Sequence, residues 1–250
     1  MRKETDLEGV RSIAKQLVMV DLHLTKFSPM AVQHPFTSIG IVAMPLDEGI
    51  RILDITKSKK DLASWQDFIK KQIDHTKNAY HIYMMTNKPY SLTFLKMASP
   101  FLSQKDFSEI LANAWIQSEN PNLDVNVTSR KLLSMFKDAD PQILMDEEER
   151  AQLEELDKTV TVYRGVTSYN ADNIKTLSWT LDYNTAEWFA HRFDEDGTVY
   201  KATISKDHIH ALFNGRNESE VIVDPKYLMD IEQAQNPDIG ELAHKEEIST

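Results

Sequence analysis

Four short stretches decide how this chain is read: TVTVYRG at Thr159–Gly165, TLSWTL at Thr176–Leu181, TVYKATI at Thr198–Ile204 and EVIVD at Glu220–Asp224. Each is rich in β-branched residues, and the third alternates as a half-buried strand does. Between the second and third, Thr185–Phe193 places Ala186, Phe189, Ala190 and Phe193 at helical spacing. The predicted order is β, β, α, β, β without a long βαβ crossover. That argues for a mixed or antiparallel sheet and not for a doubly wound one.

Upstream, the acidic run MDEEERAQLEELD at Met145–Asp157 reads as a solvated helix with Leu153 and Leu156 on its buried side. It also marks a change of pattern. Before it, Phe36–Met44 and Gly49–Ile55 are β-rich runs joined by a turn at 45–49. Leu62, Trp65, Ile69, Ile73, Thr76, Tyr80 and Tyr83 then recur at three- and four-residue steps, predicting one long helix that Asn87-Lys-Pro89 would end. Ser103 is placed to cap a further helix with Phe107, Ile110, Leu111, Ala114 and Trp115 inward, and Asp140-Pro141 reads as a cap followed by proline at the first helical position. The expected fold class is therefore α+β. Residues 1–145 would be a mostly helical accessory or target-recognition domain with a short β section, and residues 146–250 a sheet domain carrying the chemistry.

With 28 basic and 39 acidic side chains in 250 residues, the formal net charge is −11. Such a field disfavours a broad nucleic-acid or anionic-membrane surface. The absence of cysteine excludes disulfides, thiolate metal sites and a cysteine nucleophile. No apolar run has the length of a membrane span, so the expected location is cytoplasmic. There is no G-x-G-x-x-G and no P-loop, so a dinucleotide would not be held by a Rossmann turn. His208-x-His210 could put two imidazoles on one strand face, but no third ligand stands nearby and no metal is expected.

Three polar signals sit at the ends of the short strands: Arg164, Ser178 and the pair Glu218/Glu220. Singly, each is what an ordinary surface strand carries. Together they are more informative. Two carboxylates two apart on an extended segment would project from one face. Like charges so placed are costly unless something positive or reactive stands in front of them. Arg164 closes a strand beside Gly165, which lets backbone approach a ligand closely, and a guanidinium suits bidentate binding of a pyrophosphate.

The arrangement Tyr163-Arg164-Gly165, Ser178-Trp179-Thr180, then Glu218-Ser219-Glu220 followed by Val221-Ile222-Val223, resembles the arginine–serine–glutamate class of mono-ADP-ribosyltransferases, the cholera-toxin-like group. The resemblance covers Thr159–Leu228. It departs from the family's serine motif at Trp179, where threonine or serine is usual. It implies a transferase with NAD as substrate and no metal. Glu220 would stabilise the oxocarbenium-like centre, Ser178 would fix Glu220, and Glu218 would orient or deprotonate the acceptor. Arg164, Gly165, Ser178 and Thr180 would line the NAD site. Glutamate at 218 implies an arginine acceptor on a macromolecule, with protein preferred over nucleic acid. Residues from Asn87 onward are also similar to proteins of phages and mobile elements, implying an effector acting in a bacterial host's cytosol. Two other functions are compatible with the residues: a NAD glycohydrolase, with water as acceptor, and a non-catalytic inhibitor or binding protein of a bacterial defence complex.

Overall fold

Short polar side chains punctuate the helices of the first half. In a computed structural model describing residues 3–46, 48–119 and 121–235, the chain divides into two compact units, one ending at Val127 and the other beginning at Thr128. Asp47 of the expected turn and the last fifteen positions of the 146–250 segment lie outside the described residues.

The first unit opens with α1 (Leu7–Val18), whose N-cap Asp6 accepts a hydrogen bond from the Gly9 N–H. A three-stranded antiparallel sheet follows, made of β1 (His23–Leu24), β2 (Ala31–His34) and β3 (Thr37–Ile39). Next comes the expected hairpin, β4 (Ile41–Pro45) and β5 (Ile50–Asp54), turned at Gly49 with φ +96°. Its inner face, Val42 and Leu53, packs with Ile55 against Trp65 of α2 (Lys59–His75).

The single long helix expected from Leu62 to Tyr83 is in fact two. Thr76 takes extended backbone angles and Asn78 starts α3 (Ala79–Met84) by accepting from the His81 N–H. The apolar spacing runs through the break because both helices bury the same inward side, Ile73 on one and Ile82 and Tyr83 on the other. Helix α3 packs on α4 (Ser91–Ala98) and α5 (Gln104–Gln117), the latter capped by Ser103 as expected, and Phe94, Leu95, Ile110, Leu111 and Trp115 are without exposure. Each such side chain contributes roughly 1.5–3 kcal/mol of burial.

The second unit begins with α6 (Ser129–Asp138), α7 (Pro141–Leu144) and α8 (Glu147–Glu155). Asp140 caps α7, and Asp146 with Glu149 forms a capping box on α8. The unit therefore starts eighteen residues before the 145/146 boundary suggested by the acidic run, and α6, α7 and α8 all pack on the sheet strand β9. Along the chain the sheet elements are β6 (Thr159–Val166), β7 (Ser178–Thr180), helix α9 (Tyr183–Ala190), β8 (Thr198–Ser205), β9 (Ile209–Phe213), β10 (Glu220–Val223) and β11 (Met229–Gln233). In space the six strands run β11-β8-β6-β7-β10-β9, every pairing antiparallel. The α+β class is as expected from the sequence, with the helices concentrated in the N-terminal part and the sheets antiparallel.

Helix α9 lies against β6 at Gly165. A Cβ built there would stand 2.3 Å from the Ala186 carbonyl oxygen, 2.5 Å from the Ala190 nitrogen and 2.8 Å from Phe189 Cβ. Helix backbone cannot give way as a flexible side chain can. Gly165→Ala is therefore expected to cost about 1–3 kcal/mol through overpacking, read as a lower denaturation midpoint of the second unit. An unchanged midpoint would contradict the close strand–helix approach.

Candidate active site

Strands β6, β7 and β10 are consecutive in the sheet, and each supplies one polar group to a single cluster. Thr180 is directly opposite both Tyr163 of β6 and Glu220 of β10, while Ser178 is opposite Ile222. Pleating puts Ser178, Thr180 and Glu220 on one side and Trp179 on the other. Trp179 is only 2% exposed, and its indole N–H donates to the Thr176 carbonyl at 3.0 Å. The departure from the family's serine motif thus points into the core and not into the polar cluster.

Glu220, the first residue of β10, is buried at 7% exposure. Ser178 Oγ donates to its Oε1 at 2.5 Å. Arg164 Nη1 donates to the Ser178 backbone carbonyl at 2.7 Å, so one residue is tied to both the guanidinium and the carboxylate. Burial pushes the Arg164 pKa down to about 10, with the Glu220 carboxylate opposing that shift. The guanidinium remains charged at neutral pH. Its Nε is buried without a hydrogen-bond partner, and a buried unsatisfied donor is costly unless something accepts from it.

Glu218 is not on the extended segment that its spacing suggests. It lies in the loop between β9 and β10, and Ser219 has φ +43°, which breaks the pleat between the two glutamates. The carboxylates are brought together by another route. Arg216 Nε donates to Glu218 Oε2 at 3.1 Å, and its Nη2 lies 2.9 Å from the same oxygen and 3.9 Å from Glu220 Oε2. Thr180 does not project as an independent ligand. Its hydroxyl donates to the Glu218 carbonyl at 2.6 Å and accepts from the Asp182 N–H at 3.0 Å, linking the glutamate loop to the cap of α9. Gly165 serves the packing of α9 described above.

Two residues outside the sequence reading shape this site. Arg216 carries a legible signal, a cation two positions before Glu218. Glu149, buried within the acidic helix, does not. Its Oε1 accepts from the Asn214 N–H at 2.7 Å, and Gln152 Oε1 accepts from Asn214 Nδ2 at 2.7 Å, fixing where the glutamate loop begins. Leu153 and Leu156 are only half-buried, and Glu149 is the buried residue of this helix.

The His208-x-His210 pair is not arranged on one strand face. His208 precedes β9 and stacks on Tyr227 with ring centroids 3.5 Å apart. His210 is held below the usual imidazole pKa by burial and by Lys137. Among the described residues no group of three His, Asp or Glu side chains is placed to hold a metal ion, and no helix is long and apolar enough to cross a membrane. Arg192, just after α9, lies over the rings of Trp188 and Phe193.

Compared with protein-family models, with curated proteins and with solved structures, the chain matches none.

Proposed function

We propose that the chain is a NAD-dependent mono-ADP-ribosyltransferase acting on arginine of a macromolecule. One observation carries the reading: Ser178 joins Glu220 and Arg164 across three adjacent strands. Transfer breaks the bond between nicotinamide and ribose and leaves an oxocarbenium-like centre at the anomeric carbon. A fixed carboxylate near that centre lowers the barrier electrostatically, because it need not reorganise as charge develops. Glu220 is such a carboxylate, held by Ser178 on Oε1. Glu218 would receive the proton of the attacking guanidinium. The unpartnered donor of Arg164 suits a phosphate or ribose oxygen of NAD.

Calorimetry with NAD tests the binding half. The purified chain should bind NAD, and Arg164→Ala should weaken binding by about 10–100-fold, the worth of one or two hydrogen bonds to a charged group. A folded chain that takes up no NAD at millimolar concentration would remove the proposal.

A further inference from the structure

We propose that Arg216 is a self-modification site, receiving ADP-ribose from NAD within the same chain; this rests on the transferase reading above. An ion pair at a protein surface is ordinarily worth little and needs no function. Here, however, the guanidinium sits on the two carboxylates to which the proposal gives the chemistry. Glu218 holds Arg216 through Nε and Nη2, and the same Nη2 is 3.9 Å from Glu220. An acceptor arginine from another molecule would have to reach this position. A nitrogen poised for attack lies roughly 3–3.5 Å from the reacting atom, so a ribose held by Glu220 would bring its anomeric carbon within reach of Arg216.

The loop is built to keep the arginine there. Asn214 is held by Glu149 and Gln152 at its start, and the Asn217 N–H donates to the Asn214 carbonyl at 2.7 Å, closing a turn around Arg216. Asn217 and Ser219 both take left-handed backbone angles, φ +56° and +43°; asparagine tolerates this region, whereas serine holds it where surrounding contacts enforce it. Those contacts are visible at the far end: Thr180 donates to the Glu218 carbonyl and Leu181 N–H to the Ser219 carbonyl at 3.1 Å.

In the reaction, Glu218 takes a proton from the guanidinium while the nitrogen lone pair forms a bond to the anomeric carbon of NAD. The bond from that carbon to nicotinamide breaks, and its electron pair leaves with neutral nicotinamide. The arginine ends carrying one ADP-ribose, and the proton passes from Glu218 to water.

The full chain is incubated with NAD at several protein concentrations, with and without agmatine as a free guanidine acceptor, and followed by intact mass and peptide mapping. The expected result is one ADP-ribose on Arg216, gained at a first-order rate that does not change on dilution, and no such gain in Arg216→Lys. Agmatine modified while Arg216 stays unlabelled would overturn this inference and leave the transferase reading standing. Label on a different arginine, or a rate constant proportional to protein concentration, would overturn it equally. The absence of both agmatine modification and nicotinamide release would remove the transferase reading, and the self-modification with it.

Discussion

Glu220→Gln is expected to abolish nicotinamide release and macromolecule labelling together. The amide keeps the shape of the side chain and can still meet the Ser178 hydroxyl, so the fold of β10 should survive. What is lost is the charge facing the anomeric carbon. Removing one preorganised electrostatic contact of this kind costs on the order of 10²–10³ in rate. The companion substitution Glu218→Ala should lose labelling of an acceptor yet retain slow nicotinamide release, since water can still attack. Equal loss of both activities in the two variants would refute that division of roles. Rapid turnover by Glu220→Gln would dismiss the assignment of Glu220.

The largest stability effect is expected at Trp179. This side chain is one of the largest fully enclosed in the second unit, and it sits between Ser178 and Thr180 on the three-residue strand β7. Truncation to alanine removes its burial, leaves a cavity and takes away the indole N–H that donates to the Thr176 carbonyl. Together these should cost about 3–5 kcal/mol. Trp179→Phe keeps much of the ring volume and loses the donor, so it should cost less, about 1–3 kcal/mol. The calorimetric transition of the second unit reads both. Indistinguishable transitions for the wild type and Trp179→Ala would contradict the core position of this residue. Because Ser178 and Thr180 flank it, an alanine variant should also weaken NAD binding without removing any hydrogen bond that joins Arg164, Ser178 and Glu220.

The parts of this molecule legible in its sequence are those where one physical signal dominates. Strands β6 and β8 alternate or bury branched residues, and the caps Ser103 and Asp140 precede their helices as short polar acceptors should. Ser178 and Glu220, forty-two positions apart, are linked in the sequence only by the resemblance, and Ser178 Oγ donates to Glu220 in space. In the six-stranded sheet, the two strands that carry no legible signal, β9 and β11, are its two edges. β11, MDIEQ, is largely exposed, and Asp230 has φ +52° where its register shifts. Edge strands are commonly polar or irregular, which erases the period-two pattern. β9 is hidden for the opposite reason: it is buried along most of its length by α6, α7 and α8, so it does not alternate either.

Glu218 shows the limit of spacing arguments. A two-residue step predicts a common face only on extended backbone, and the left-handed Ser219 removes that condition. The pair meets through Arg216 instead, a contact that depends on loop closure and not on strand periodicity. The unit boundary escaped for a related reason. The acidic run stands out in composition, but its Glu149 is buried at the head of the glutamate loop, so the segment belongs to the unit it precedes.

The most direct test of the central claim uses NAD labelled in its adenylate half, incubated with the purified chain and a bacterial lysate. Labelling of a macromolecule through arginine, with release of nicotinamide and dependence on Glu220, is the predicted result. A folded, NAD-saturated chain that releases no nicotinamide and labels nothing, itself included, would contradict it.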